Sequence, residues 1–304
     1  MQFCLLLLLL SLRICLAGDV PFRTVGPSGN DCASVQAAIN AVPEDNDSEK
    51  LILIEPGSYF GHTVLNRPHV RLRGAGVGAT LVFNLGQAIP GGDMKPIGWQ
   101  GAAALLITAD DARIENLTIE NTYGKGMQAQ ACSVVAERVA FFQCRFLGWQ
   151  DTLKIDSGPL FFEQCYISGH VDFIYGSATA YFSECEIYCL DSGYIVAPST
   201  LKGRTGFVFQ DCKITFPFGD VAAYLGRPWR ESPSATFVGC EMSVGVRPEG
   251  WHEWNVTPSQ VRFAEYGCKG SGSEFAKRVG WAKATADAAP NEFSRAKVLG
   301  EWKP

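Results

Sequence analysis

Two stretches of this chain carry the same pattern, Cys144-Arg-Phe-Leu-Gly148-Trp-Gln-Asp151 and Cys165-Tyr-Ile-Ser-Gly169-His-Val-Asp172. In each, a large apolar residue stands two places after the cysteine, glycine four places after and aspartate seven places after, and the copies are 21 residues apart. Self-similarity at such a period predicts a solenoid, whose coils bury their apolar faces only against one another. Equivalent positions then lie on adjacent strands, about 4.7–4.9 Å apart, and Asp151 is expected directly above or below Asp172. Two carboxylates that close cannot both ionise easily, so one tends to keep a proton while the other is charged. An acid beside a base is the starting point for hydrolysis, and the repeat therefore predicts an enzyme.

The series extends in both directions. Arg113-Ile-Glu-Asn116-Leu-Thr-Ile119 aligns with Phe141-Phe-Gln-Cys144-Arg-Phe146, and Cys185, Cys212 and Cys240 continue it at intervals of 20, 27 and 28 residues. The runs are strand-like and no helical period separates them, which predicts an all-β chain folded as a single right-handed parallel β-helix. Cys144, Cys165, Cys185, Cys212 and Cys240 then form an internal column, with Asn116 extending it. Their expected role is packing by a small apolar side chain. Disulfides between rungs are the minority reading, because coil-to-coil geometry need not suit a bridge.

A solenoid needs lids on its open ends. Val35, Ala38, Ile39 and Val42 follow the i, i+3, i+4, i+7 spacing of an amphipathic helix that stops at Pro43, a candidate N-terminal capping helix within residues 31–43. The segment Cys268–Pro304 is expected to cover the other end or to run along the side. No internal linker is visible, so residues 18–304 read as one domain.

Residues 1–17 read as a secretory signal: Phe3 to Leu12 is apolar but too short to span a bilayer, and Cys15-Leu-Ala17 offers small residues for cleavage. Nothing later is long and apolar enough to cross a membrane. A formal charge of −5 without a long basic run argues against nucleic acid as a partner. Cleavage of the signal would leave nine of the eleven cysteines, an odd number that demands a free thiol or an intermolecular bridge. No cysteine or histidine spacing suggests zinc. Asn46, Asn116 and Asn255 head glycosylation sequons, of which Asn116, inside a strand-like run, is expected to be unavailable.

The sheets of a long β-helix present shallow grooves suited to extended polymers, polysaccharide above all. Near the paired aspartates, Trp149, Phe173, Tyr175 and Trp229 could stack on sugar rings or could equally belong to the core; Trp229, in a turn-like Gly-Arg-Pro-Trp setting, favours the groove. These residues fall in segments that resemble the signatures of the pectin methylesterases: Gly148-Trp-Gln-Asp-Thr-Leu153, Gly169-His-Val-Asp-Phe-Ile-Tyr-Gly176 and Leu225-Gly-Arg-Pro-Trp229. Gln128-Ala-Gln-Ala131 resembles the family's upstream glutamine segment, and Gly250-Trp-His-Glu-Trp254 and Ala264-Glu-Tyr266 its C-terminal landmarks. The resemblance covers residues 20–282.

The resemblance implies Asp172 as the nucleophile that attacks a methyl-ester carbonyl and Asp151 as the acid that protonates departing methanol and then activates water. It implies Gln150 and Gln128 as the amides that hold the oxyanion, Arg227 as the partner of Asp172, and Trp229 as a substrate contact. It implies no metal and no organic cofactor. The partners implied are methyl-esterified homogalacturonan (pectin) and a proteinaceous pectinesterase inhibitor, with the chain extracellular and monomeric. Elementary chemistry agrees: an arginine should keep Asp172 ionised while Asp151 retains the shared proton.

Departures are visible. Tyr175 stands where phenylalanine is common in the family and Trp149 where tyrosine is common. Gln130 offers a second amide, less favoured than Gln128 as an oxyanion partner. His170 is expected in the groove or in a structural role. A β-helix glycosidase could also use two carboxylates, and a lyase would need clustered acids for calcium. A third reading is a carbohydrate-binding solenoid without catalysis. Two acids beside two amides favour ester hydrolysis.

Overall fold

The computed structural model describes residues 20–304 except 77, 93, 231 and 255. The expected signal segment 1–17 and the sequon residue Asn255 lie outside the described residues. Short apolar and β-branched runs separated by polar bends form strands, and successive strands stack coil on coil. One sheet has 11 strands, running from Arg23–Val25 through Val139–Phe142, Leu160–Glu163, Ala180–Ser183 and Phe207–Gln210 to Lys283–Thr285, with parallel pairing throughout. A second face begins with Gly57–Phe60 and a third with Thr63–Leu65. These two faces merge at Tyr166–Gly176 and Glu186–Pro198, strands long enough to bend from one face into the other. The architecture is a parallel β-helix.

The bend from the first face to the second is made by one left-handed residue per coil: Asn116, Gln143, Gln164, Glu184, Asp211, Gly239 and Gly267 all have φ between 52° and 62°. Each of these bends keeps the coil-to-coil bonding intact; Gln143 N–H, for example, donates to the Glu163 carbonyl at 2.9 Å and Gln164 N–H to the Ser183 carbonyl at 3.0 Å. The residue after the bend points inward, and this corrects one expectation. Arg145 pairs with Thr118, so the residue level with Cys144 is Leu117, not Asn116. Asn116 occupies the exposed bend and Leu117 is buried. A one-residue slip in a strand exchanges inside for outside; the polar asparagine takes the left-handed position that its side chain tolerates, and the leucine takes the core. Asn116 is accordingly an exposed sequon residue rather than an inaccessible one.

The cysteine column exists and runs one coil further, through Cys268. Each sulfur lies near carbonyl oxygens as well as the sulfur of the neighbouring coil: Cys144 Sγ donates to Ile114 O at 3.4 Å and Phe142 O at 3.5 Å, and Cys268 Sγ to Phe237 O at 3.5 Å, while Cys165 also meets the thiols of Cys144 and Cys185. The nine cysteines of the described residues are free thiols. Parallel to them runs a ladder of phenylalanines. Phe141, Phe162, Phe182, Phe209 and Phe237 stack ring on ring, with successive centroids 4.8, 4.4, 4.4 and 4.6 Å apart. Large, rigid rings in register fill the interior with little loss of rotamer freedom on each added coil.

At the N-terminal side a helix spans Val35–Asn40, shorter than the apolar spacing allowed, with Ser34 Oγ accepting from Ala37 N–H at its start. Its buried residues, Val35, Ala38 and Ile39, join the core alongside Arg23–Val25, Lys50–Ile54 and Thr63–Leu65. At the other end Lys283–Thr285 adds the last strand of the first sheet, and the chain then turns along its outside. There Val298 and Leu299 of the helix Arg295–Leu299 cover Ala140, Phe161, Tyr181 and Val208, the outward residues that alternate with the phenylalanine ladder. Of the two expectations for this segment, the run along the side describes its final residues.

Phe182, fully buried between two stacked rings, should be a keystone of the core. Phe182→Ala is expected to lower unfolding free energy by about 3–5 kcal/mol, while Phe218→Ala, at a fully exposed ring, should leave it unchanged. Urea denaturation of the two variants measures the difference.

Candidate active site

Asp172 lies in Tyr166–Gly176 where that strand bends, and its register against Glu186–Pro198 shifts between Val171 and Ile174. Its φ is 49°, a left-handed conformation that aspartate tolerates better than most residues. Asp151, one coil earlier, is also left-handed, with φ 64°. Its N–H donates to the Val171 carbonyl at 3.1 Å, and two residues on, Leu153 pairs with Ile174. The two aspartates therefore occupy matching bends of adjacent coils. Both are nearly buried, at 6% and 7% exposure.

Glycines make this closeness possible. A Cβ on Gly169 would stand 2.6 Å from the Trp149 carbonyl oxygen, and one on Gly226 would stand 2.6 Å from that of Val196.

Arg227 follows the strand Ala223–Gly226 and anchors its N–H on the Val196 carbonyl at 3.0 Å. From there its side chain reaches back over the intervening coil to Asp172. Nε meets Oδ1 at 2.9 Å and Nη2 meets Oδ2 at 2.6 Å, a two-toothed fork. The guanidinium is held flat between two rings, 4.0 Å from the centroids of both Tyr194 and Trp254.

The two carboxyls feel different surroundings. Burial, and then the neighbouring charge of Asp172, push Asp151 up to about 8; the Tyr175 hydroxyl, Arg227 and Lys154 pull it down by less. Burial also raises Asp172, but the hydrogen bonds and charge of Arg227 oppose it, so its rise is the smaller. The expectation that arginine simply keeps Asp172 ionised needs this correction: the arginine offsets burial rather than outweighing it. The pair is nonetheless split, Asp151 holding its proton more tightly than Asp172.

The amides separate just as clearly. The Gln150 carbonyl accepts from Ala129 N–H at 3.2 Å, which sets the Gln128–Ala131 segment beside the Gln150–Asp151 bend. Gln128 is half-buried; its Oε1 is engaged by Gln87 Nε2 and its carbonyl by Gln87 N–H at 2.9 Å. Gln130 is sealed in the core with its Nε2 on the Tyr175 hydroxyl at 2.9 Å.

The aromatics divide between core and groove. Phe173 is core, whereas Trp149 and Trp229 are half-buried, Trp229 with its ring T-shaped to Tyr175 at 5.8 Å. His170 sits 5.5 Å from the Trp149 ring, and burial holds it below the usual histidine range.

The sequence pattern does not disclose Gln87, Lys154 or Tyr194. Lys154 lies 4.2 Å from the Trp99 ring and pairs with Asp156. Among the described residues no group of three or more His, Cys, Asp or Glu side chains is arranged to hold a metal ion. A carboxyl forked by a guanidinium, a second carboxyl raised to about 8 and neighbouring side-chain amides together suit acyl transfer to and from a carboxylate.

The pectinesterase family model matches residues 24–301. Pectinesterase 31 of Arabidopsis thaliana is 34% identical over 278 residues, which is 88% of this chain and 87% of that protein. Among solved structures, the pectin methylesterase of Aspergillus niger superposes with a TM-score of 0.83 at 26% identity, covering 93% of this chain and 95% of that one. A pectin methylesterase in complex with a hexasaccharide superposes with a TM-score of 0.84 at 25% identity, covering 94% and 99%. The fold held in common is the right-handed parallel β-helix.

The raised Asp151 has a consequence for stability. Its unfolded form ionises near 3.8 and its folded form near 8, so the folded state binds the proton more tightly. Stability from this group is complete below the lower value and is lost as pH rises through the upper one. Asp151→Asn, which cannot ionise, should therefore melt several degrees above the unaltered protein at pH 8 and close to it at pH 4. Melting curves across that range would reveal the effect, and a gap that widens toward acid would contradict the direction given.

Proposed function

This chain belongs to the pectinesterase family and is a carboxylic ester hydrolase, and from that premise we propose how its residues remove the C6 methyl esters of galacturonate units in pectin. Asp172 attacks the ester carbonyl with one carboxylate oxygen. Charge builds on the carbonyl oxygen, and the amide N–H groups of Gln128 and Gln150 meet it there. Such donors act on charge as it develops and typically contribute a few kcal/mol each.

Asp151 gives its proton to the methoxy oxygen, the C–O bond breaks, and methanol leaves an acyl group on Asp172. Asp151, now a carboxylate, takes a proton from water, whose oxygen attacks the acyl carbon. Asp172 departs as a carboxylate, Asp151 is protonated again, and the product is a free uronic acid that gives its proton to solvent. Trp229 contacts the sugar chain beside the reacting unit.

One arrangement carries this reading: Arg227 forks onto Asp172, while burial and the charge of Asp172 push the adjacent Asp151 up to about 8. A retaining glycosidase would also employ two carboxylates, yet it forms no oxyanion for Gln128 and Gln150 to hold. The same reading takes residues 18–304 as a single catalytic domain that acts outside the cell on cell-wall pectin. It takes the enzyme to be monomeric, with a proteinaceous inhibitor as a second partner.

Purified protein incubated with methylated pectin should release methanol and titratable acid in equal amounts while viscosity shows no depolymerisation. Asp172→Asn should abolish turnover, since an amide cannot serve as the nucleophile, and Asp151→Asn should reduce it by about 100-fold or more. Chain shortening without methanol would hand the site to glycosidic cleavage, and near-normal activity in Asp172→Asn would remove the nucleophile assignment.

A further inference from the structure

Behind Asp151 lies a buried polar pair to which the ester chemistry gives no task. Gln130 is completely buried, Tyr175 is 5% exposed, and the Gln130 Nε2 donates to the Tyr175 hydroxyl oxygen at 2.9 Å. The other end of the amide, Oε1, has no hydrogen-bond partner among the described residues. A half-satisfied amide in a core is costlier than an apolar side chain of the same size, so packing alone does not account for Gln130. The bond also has a direction. An amide nitrogen can only donate, so the phenolic oxygen accepts, and its single proton must be given elsewhere. Tyr175 pairs in register with Lys154 and its ring meets that of Trp229 at 5.8 Å. So held, its hydroxyl lies beside the Asp151 carboxyl, close enough to loosen that acid's hold on its proton.

We propose that Gln130 and Tyr175 are positioning residues, a two-membered hydrogen-bond relay that aims one phenolic proton at the carboxylate of Asp151. The inference rests on the acid–base reading of Asp151 given above. Its use falls in the second half of the reaction. Once Asp151 has protonated methanol it is a buried anion beside Asp172, and the relay stabilises it until it takes a proton from water. The phenol is suited to this, because burial and the charge of Asp151 hold it well above the usual tyrosine range and it stays a donor throughout. The other groups facing Asp151 are Asp172, which raises its affinity for the proton, and Arg227 and Lys154, which lower it; Tyr175 itself is also faced by Asp156.

The test is the pH–rate profile of methanol release, whose alkaline limb reports loss of the Asp151 proton. Removing a hydrogen bond to the ionised form must move that limb upward. Tyr175→Phe should shift it by about one pH unit, the order expected for one hydrogen bond to a charged group, with KM little changed. Gln130→Leu should shift it the same way by less, and the double variant should match Tyr175→Phe alone, since Gln130 acts only through the phenol. A merely structural role would lower kcat at every pH and leave the limb in place.

An unmoved limb in an active Tyr175→Phe enzyme overturns the relay, and so do two shifts that add. If Tyr175→Phe fails to fold, the Gln130→Leu limb decides, and an unmoved limb there is equally fatal. An active Asp151→Asn enzyme that keeps its alkaline limb would instead fault the acid assignment, and the relay with it.

Discussion

In-register parallel hydrogen bonding between coils is the constraint on which the site depends. Like residues stack over like only while no coil slips, and a single slip would turn every inward side chain out. Because the left-handed bends carry the bonding round the corner between faces, the Asp151 and Asp172 coils stay in step, Phe146 over Ile167 and Leu153 over Ile174, and the register shifts only against the coil that follows. Asp151 and Asp172 are brought together by this alone. Neither needs a loop to deliver it, and each is placed by the backbone of its own coil.

Stacking identical acids would, by itself, leave one proton shared between them with nothing to say which keeps it. What distinguishes the two is where the arginine comes from. Arg227 begins two coils beyond Asp172 and must lie across the coil between, where Tyr194 supplies the surface on which it rests. Its fork therefore reaches Asp172 and leaves Asp151 to burial and to repulsion. The asymmetry of the chemistry arises from the asymmetry of a solenoid, in which one side of every coil is occupied by earlier sequence and the other by later.

What the sequence disclosed and what it withheld follow the same division. Features that repeat were legible: the strand period, the cysteine column and the two aspartates at a common offset all come from copying one coil. Asn116 was misplaced because its coil lacks a cysteine, and the polar residue nearest the pattern was assigned the inward position that Leu117 holds. Features that do not repeat were hidden. The Trp254 and Tyr194 faces that sandwich Arg227, the grip of Gln87 on Gln128, and the bond from Gln130 to Tyr175 join residues of unlike sequence context. Only three-dimensional neighbourhood assigns them. The family resemblance named the chemical roles, yet it left Gln130 as a spare amide, whereas its burial behind Tyr175 gives it a different setting.

The column of unpaired thiols has a bearing on how such a chain is made. Folded, its sulfurs are all buried away from oxidants in solvent; of the other cysteines among the described residues, Cys132 and Cys189 are buried thiols pushed upward by that burial, and Cys32 is half-buried. Unfolded in an oxidising compartment, the nine sulfurs of the described residues, six of them from this column, could join in many wrong pairs. The hazard is one of timing. Synthesis delivers the coils in order, each new strand finding the previous one already waiting, so every thiol can be enclosed within a turn or two of its emergence. A solenoid wound from its first coil can therefore keep its cysteines reduced through the speed of its own winding, without a chaperone for each sulfur.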